Sequence, residues 1–418
     1  MMSTNNTVTA PKGFLAAGVK CGIKKSGKRD LGLIVCPGGA KAAAVFTTNK
    51  IISAAVQISR KHIKSDTIYA VVVNSGNANA CTGKKGINNA VRMCAETANY
   101  IVVDPHEVLV ASTGIIGEHL PMGNVTAGIE DVVGQLSESA TGGMNFTRAI
   151  MTTDTKAKIA CRRIEISGKK VVIAGTTKGA GMIGPNMATT LCFITTDVMI
   201  KRSLLSESLK SAIGDSLNKL TVDGHQSTND TAIILASGLA GNKLIKNQDS
   251  SHKKFAAALL DLCQDLARQM ALDAEGATRI FKVVITGAAN QTDAAKAARA
   301  VADYDLVKCA VHGGDPNWGR IICAVGSSGV KLNPQKVSCK LDDLAVFKNG
   351  APTNFDRKKA SKIVSQVSHT ITVDLGVGRE PRGVHGHKSN VVYGKYSDFC
   401  VGCDLSKGYV TINADYHT

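Results

Sequence analysis

The run KGAGMIGPNMATTLCFITTD, from Lys178 to Asp197, decides how this chain is to be read. Gly179, Ala180, Gly181 and Gly184 allow a tight turn, Pro185 stiffens the approach, and Ala188 leaves its carbonyl open to the hydroxyl of Thr189. A chain that cuts itself ahead of a threonine needs these features. After such a cut Thr189 carries its own base, because an α-amine with a pKa of ~7.7 to 8.0 is partly neutral near pH 7 and can take the hydroxyl proton without a histidine.

Three further glycine-dense polar loops lie outward of this run: Asn74 to Gly83 (NSGNANACTG), Ser112 to Gly117 (STGIIG) and His312 to Arg320 (HGGDPNWGR). Glycine lets a backbone approach a ligand and aim N–H groups at developing negative charge. None of the loops ends in the Gly-Lys-Ser/Thr of a phosphate loop, and none has the G-x-G-x-x-G of a dinucleotide site, so ATP and NAD are poor candidates. There is no G-x-S-x-G elbow for a Ser/His/Asp hydrolase and no His spacing suited to a catalytic metal. His312, His385 and His387 lie near glycines and read as surface or packed imidazoles. The usual bases are missing, which returns the argument to Thr189.

Composition bounds the rest. At 418 residues and 43.7 kDa the chain calls for two or three domains, and its 44% hydrophobic content is enough to form cores. No run approaches the ~18 apolar residues of a spanning helix, the nearest being YAVVV from Tyr69 to Val73. Fifty Lys and Arg against 33 Asp and Glu give a formal charge of +17, which would suit nucleic acid. With 4% aromatic residues and Trp318 the sole tryptophan, stacking platforms are scarce, so a solvated basic surface is the better reading. Twelve scattered cysteines look like reduced thiols, and the C-x-x-C of Cys400 and Cys403 reads as two packed side chains.

Apolar residues at Leu205, Leu209, Ile213, Leu217 and Leu220, and at Phe255, Leu259, Leu262, Leu266 and Met270, recur at helical spacing. Asn88 to Tyr100 and Asp293 to Ala302 also read as helices. Ala70 to Val73 and Phe281 to Ile285 read as buried strands, and Ile159 to Ile166 with Lys170 to Ile173 as a hairpin turning at Ser167-Gly168. Helices and strands alternate, which makes the fold class α/β or α+β.

The run from Lys178 resembles the self-cleaving segment of the ornithine acetyltransferase family, the glutamate N-acetyltransferases of arginine biosynthesis. The resemblance extends over almost the whole chain: VTAPKGFLAAGVKCGIK from Val8, FTTN at Phe46 to Asn49, NSGNANACTG, STGIIG, TTDT at Thr152 to Thr155, STNDTA at Ser227 to Ala232, EGAT at Glu275 to Thr278, DPNWGR, and the closing CDLSKGYVTINADYHT. It implies a layered α/β sandwich, cleavage between Ala188 and Thr189, an α chain of residues 1–188 and a β chain of 189–418, the two being interwoven and assembled as α2β2. It makes Thr189 nucleophile and base, Thr113 and Gly114 the oxyanion hole, and Thr153, Lys178, Glu275, Asn413 and Thr418 the amino-acid pocket, the choice among Thr152, Thr153 and Thr155 staying open. A zwitterion needs a cation for its carboxylate and an anion for its ammonium, and Lys178 and Glu275 supply both.

Taken singly, Lys178 and Glu275 would be surface charges, Thr113 a helix-capping hydroxyl, and Asn413 and Thr418 a frayed tail. Asp315 to Arg320 reads as scaffold, with no catalytic part for Trp318. The chain departs from the family pattern at His225 and Gln226, at Ala274 before Glu275, and at His417. The expected reaction is ping-pong transfer of acetyl from N2-acetyl-L-ornithine to L-glutamate with no cofactor, and acetyl-CoA as a further donor. An N-terminal-threonine amidohydrolase or aminopeptidase is the alternative enzyme, and a basic nucleic-acid-binding protein the alternative class. Because the resemblance begins near Val8, too little is left for a transit peptide, so cytoplasm is expected over mitochondrion.

Overall fold

The structure is a computed structural model that describes residues 5–184, 190–377 and 396–415. The chain folds as two units, one made of residues up to Asn218 with His225–Met270, the other of Lys219–Gly224 and the chain from Ala271 on. Both mix helices with a sheet, giving the expected α/β class.

The strands of the first unit are β1 (Leu15–Val19), β2 (Leu31–Phe46), β3 (Ile68–Asn77), β4 (Val108–Ile115), β5 (Lys158–Ile166), β6 (Lys169–Lys178), β7 (Leu191–Thr196) and β8 (Thr231–Ala236). They form one sheet in the order β4-β3-β2-β8-β7-β6-β5, with β1 paired to β2. The long strand β2 serves both halves. Leu31 to Val35 pair with β3, the register breaks around Pro37-Gly38-Gly39, and Lys41 to Phe46 pair with β8.

The YAVVV run is apolar throughout because its strand is covered on both faces. Ala70 and Val72 pack with Leu31, Leu33, Val108 and Val110 beneath the helices Ala54–His62, Gly83–Ile101 and Met122–Gly134, while Val71 and Val73 pack with Ile34, Leu109 and Phe146 on the side of the helix Ala140–Ile150. The hairpin turns where expected, with Ser167 and Gly168 at φ 51° and 72°, the pair of positive values that a two-residue turn between twisted strands requires. Strand β7 lies between β6 and β8, so segments from both sides of the Ala188–Thr189 bond share hydrogen bonds within one sheet.

The helix Ser250–Leu272 buries Phe255, Leu259, Leu262, Leu266 and Met270 as its spacing predicts. Leu262 and Leu266 rest on Gly175 of β6, where a Cβ would stand 3.1 Å from the Leu262 side chain. The stripe from Leu205 is a partial correction: its helix is Arg202–Gly214, Leu217 opens a separate short turn, Leu217–Lys219, and Leu220 lies just beyond it, although both are buried. Gly214 has poor helical propensity and ends the helix while the apolar spacing runs on.

The second unit holds β9 (Ile280–Ala288), β10 (Ser338–Leu341), β11 (Leu344–Lys348), β12 (Ala351–Pro352), β13 (Ser368–Asp374) and β14 (Tyr396–Cys403), in the order β12-β11-β10-β13-β9-β14. Ala294, Ala297, Ala298, Val301 and Ala302 of the helix Gln291–Asp303 pack on Phe281, Val283 and Ile285 of β9. The small alanines let the helix sit close to the sheet. DPNWGR is scaffold here: Asn317 caps the helix Trp318–Ser327 and Trp318 stacks on Phe347 at 5.0 Å. Cys400 and Cys403 are buried free thiols, as are the other buried cysteines described. No described helix is long and apolar enough to cross a membrane.

Candidate active site

In the first unit β3 and β4 run parallel and end side by side, with Ser75 opposite Thr113 and Gly76 opposite Gly114 before the register breaks at Asn77. The loops beyond the carboxyl ends of parallel strands are a common place for ligand sites in open α/β sheets. Gly114 has φ +132°, and a Cβ on it would stand 2.3 Å from the carbonyl carbon of Gly76, so no other residue fits. Thr113 lies within β4 and is nearly buried, so it is not a helix cap.

Buried amides clamp these strand ends. The Asn74 side chain donates to the Asn77 carbonyl at 2.8 Å and accepts from Ser112 Oγ at 2.6 Å. Asn229 Nδ2 donates to the carbonyls of Ala78 and Ser112 at 2.7 and 2.8 Å, tying STNDTA to both glycine loops. Each bond satisfies a polar group that burial would otherwise leave at a cost.

Lys178 closes β6, half-buried, and its Nζ donates to Thr152 Oγ1 at 3.3 Å. Thr152 thus meets Lys178, and Thr153 follows it, half-buried. Asp154 fixes this loop: Oδ2 accepts from the Thr152 N–H at 2.9 Å, and Oδ1 from the Gly179 N–H at 2.8 Å and Lys158 Nζ at 2.5 Å. Burial pushes the Asp154 carboxyl up, but the Lys158 and Lys178 ammoniums and these hydrogen bonds outweigh it and hold it below the usual range. Asp230, 2% exposed, is in the opposite state. Burial drives its pKa well above the ordinary value against the pull of Lys178, and its Oδ2 has no hydrogen-bond partner. Just ahead of β7, Thr190 Oγ1 and Thr177 Oγ1 are 2.7 Å apart, and the Thr190 carbonyl accepts from the Thr231 N–H at 2.9 Å. Thr189 and Ala188 lie outside the described residues.

In the second unit Glu275 is 8% exposed and accepts from Asn413 Nδ2 at 2.9 Å. Gly276 has φ +68°, and a Cβ there would stand 2.3 Å from the Tyr409 nitrogen, so the turn is pressed against the helix Lys407–Asp415. Ser406 Oγ closes the contact by donating to the Gly276 carbonyl at 2.6 Å. Asp404 accepts from the Thr278 and Arg279 N–H groups, Thr278 Oγ1 and the His312 ring, and these bonds overcome burial to keep its carboxyl below the usual range. Asn413 is thus helical, and Glu275 is buried in place of being a surface charge. Thr418 and His417 lie outside the described residues, as do His385 and His387.

Among the departures, Gln226 donates to Thr48 Oγ1 at 2.7 Å and accepts from Asn49 Nδ2, which anchors the FTTN segment, while His225 is exposed. Ala274 is buried in a turn where its carbonyl accepts from the Ala277 N–H. Sequence reasoning gave no part to Asn74, Asp154, Asn229 and Asp230, although each lies in a motif it quoted, where a carboxylate or amide among small hydroxyl residues is the available signal. It also gave none to Lys24, the last residue of the VTAPKGFLAAGVKCGIK run. Among the described residues no three His, Cys, Asp or Glu side chains are grouped to hold a metal ion.

The ArgJ family model matches residues 15–418. The arginine biosynthesis bifunctional protein ArgJ of Bacillus thuringiensis is 42% identical over 415 residues, 99% of this chain and 97% of its own. That of Symbiobacterium thermophilum is 42% identical over 413 residues, 98% of each chain. Among solved structures, ArgJ of Bacillus halodurans is 43% identical with a TM-score of 0.43, covering 44% of this chain and 95% of that one. Ornithine acetyltransferase of Mycobacterium tuberculosis, complexed with ornithine, is 36% identical with a TM-score of 0.39, covering 44% and 97%. With matching sequence from end to end and the quoted motifs gathered at strand ends and turns, this chain belongs to the ArgJ family and is an arginine-biosynthesis enzyme with the family's acetyltransferase activity.

Proposed function

We propose that the chain moves an acetyl group from N2-acetyl-L-ornithine to L-glutamate through an acetyl ester on Thr189, after cutting itself between Ala188 and Thr189. The observation that carries the geometry is the close stacking of Gly114 on Gly76 at the ends of two parallel strands, in the same unit as Lys178. Thr113 and Gly114 supply the oxyanion donors. Thr189 Oγ attacks the amide carbon, the freed α-amine takes the hydroxyl proton and delivers it to the departing ornithine amine, and glutamate reverses the sequence. The bond energy resides in the acetyl amide, so no cofactor is needed.

Lys178 takes the substrate carboxylate, and Thr153, Glu275, Asn413 and Thr418 are the further residues assigned to the amino-acid substrate. The placement of β7 between β6 and β8 supports cleavage without dismemberment, since the two new chains, 1–188 and 189–418, keep their shared sheet. Relatives named bifunctional support a second activity with acetyl-CoA as donor. An α2β2 assembly and a cytoplasmic setting complete the proposal. Intact mass tests it: wild type should give fragments ending at Ala188 and beginning at Thr189 and should form N-acetylglutamate. An uncut, fully active wild type refutes the scheme, and release of free acetate in place of acetylglutamate would make the enzyme a hydrolase.

A further inference from the structure

Lys24 stands in the stretch before Asp30 that carries cations and no acid, and its setting differs from that of its exposed neighbours Lys25 and Lys28. The Asp30 carboxylate gathers the backbone N–H groups of Cys21, Ile23 and Lys24 at 2.7, 2.8 and 3.0 Å, which pins the loop. The Lys24 stem is thereby laid across Gly76, its Cγ only 2.8 Å from where a Cβ would be, and Gly76 in turn backs Gly114. At the far end Nζ donates to the Arg29 carbonyl at 2.7 Å and to the Met151 carbonyl at 2.6 Å, one residue before the Thr152 that Lys178 holds.

Two ammonium groups therefore serve one loop, each within reach of the other's field. The carboxylates of Asp30 and Asp154 offset part of the repulsion between these like charges in a half-buried place, and a bound anion would offset more. An ammonium has three donors, and the two carbonyls take two of Lys24's without neutralising it.

We propose that Lys24 is a specificity-determining residue for the acetyl acceptor, donating its remaining N–H to the second carboxylate of an amino-acid dicarboxylate while Lys178 takes the first. This deepens the acetyltransferase reading and rests on it. Donor and acceptor differ in the charge at the end of the side chain, ammonium in ornithine and carboxylate in glutamate. A second cation favours the acceptor and disfavours the donor, so its loss acts on the two substrates unequally. Burial brings Lys24 down to about 8, with Lys178 and Lys28 adding to the fall and Asp30 and Asp154 opposing it, so the cation is present below that pH and lost above it.

The test is steady-state exchange with Lys24→Met, which keeps the stem over Gly76, and with Lys24→Arg. The methionine variant should raise KM for glutamate by roughly 10-fold to 100-fold, as for loss of one charge-assisted hydrogen bond, with KM for N-acetylornithine unchanged or lower and the loss falling on KM in preference to kcat. Arginine should rescue most of that loss. In wild type KM for glutamate should climb about tenfold per unit above pH 8, as for loss of a single proton, and Lys24→Arg should lack that climb up to pH 9.5. Equal rises in both KM values, or a loss confined to kcat, would make Lys24 a mere loop fastener and overturn the proposal. If the methionine variant does not fold, an identical climb in wild type and Lys24→Arg overturns it alone. A wild type that transfers no acetyl to glutamate overturns both this and the functional reading, whereas an active wild type with symmetric KM changes overturns only this.

Discussion

Both units contain a parallel strand pair, yet their candidate site residues stand at opposite ends of it. In the first unit Thr113 and Gly114 stand at the carboxyl ends of β3 and β4, and charged side chains are drawn into the interior beside β6 and β8, with Asp154 salt-bridged to Lys158 and Asp230 lacking a partner for one oxygen. In the second unit the parallel pair is β9 and β13, and the polar turn of Glu275 to Arg279 precedes β9, held by Asp404 after β14. The usual rule for open sheets finds the first place and misses the second. Backbone groups at strand ends can be aimed by topology alone, whereas a side-chain pair such as Glu275 and Asn413 needs only a clamped turn and a helix.

The contrast breaks most sharply at the proposed nucleophile. Thr189→Ala should stay whole by intact mass and lose about 10⁴-fold or more in acetylglutamate formation, in keeping with removal of a covalent nucleophile; retained activity would mean that the first unit's glycine loops serve something else. Gly114→Ala comes next, since the methyl would collide with Gly76 at a φ that alanine avoids, and turnover should fall by about 10²-fold to 10³-fold, as for a lost oxyanion donor. Full turnover in that variant would remove the strand ends from the mechanism.

The buried charges can be separated by stability. Asp154→Asn takes the carboxylate away from the Lys158 ammonium, 1% exposed in the fold, and should cost about 3–5 kcal/mol in denaturant unfolding. Since Asp154 is held below the usual carboxylate range, its contribution is present above ~pH 4 and disappears as pH falls through its lowered value. On the other side, Glu275→Gln should raise KM for the amino-acid substrates about tenfold with little change in melting temperature, the size of one charged hydrogen bond.

The smallest effect belongs to the second unit's core. His369 is buried against Phe281 with neither ring nitrogen bonded, and burial lowers it to about 4. The folded state holds it neutral, so the stability it permits is complete above ~pH 6.5 and is lost as pH falls toward that lowered value. His369→Leu should leave stability at pH 7 unchanged or raise it by about 1 kcal/mol or less, and should shift acid unfolding of the second unit to lower pH. No shift in the acid transition would show that the imidazole is not the sensitive group.

Periodicity alone located the buried strands at Ala70 to Val73 and Phe281 to Ile285, the long helix ending near Met270, and the turn at Ser167-Gly168, because each follows from spacing or from residues that tolerate a given φ. It overran at Leu217 and Leu220, since an apolar stripe marks what will be buried and not where hydrogen bonding stops. The glycine loops were visible as candidate ligand-facing backbone, and the resemblance assigned residues to them. Asp154, Asn229, Asp230 and Lys24 escaped, because a carboxylate, amide or ammonium shows its role only through partners far along the chain: Asp154 with Gly179, Asn229 with Ser112, Lys24 with Met151.

The sequence by itself determined the family and the α/β class, and it singled out the segment proposed for cleavage and attack, since these are local properties of ordered motifs. Only the tertiary structure decided that Gly114 must be glycine because Gly76 lies against it, that Lys178 meets Thr152, and that Lys24 shares its loop. Those facts depend on which strand ends and loops come to lie side by side, and burial then fixes the charge each group can bear.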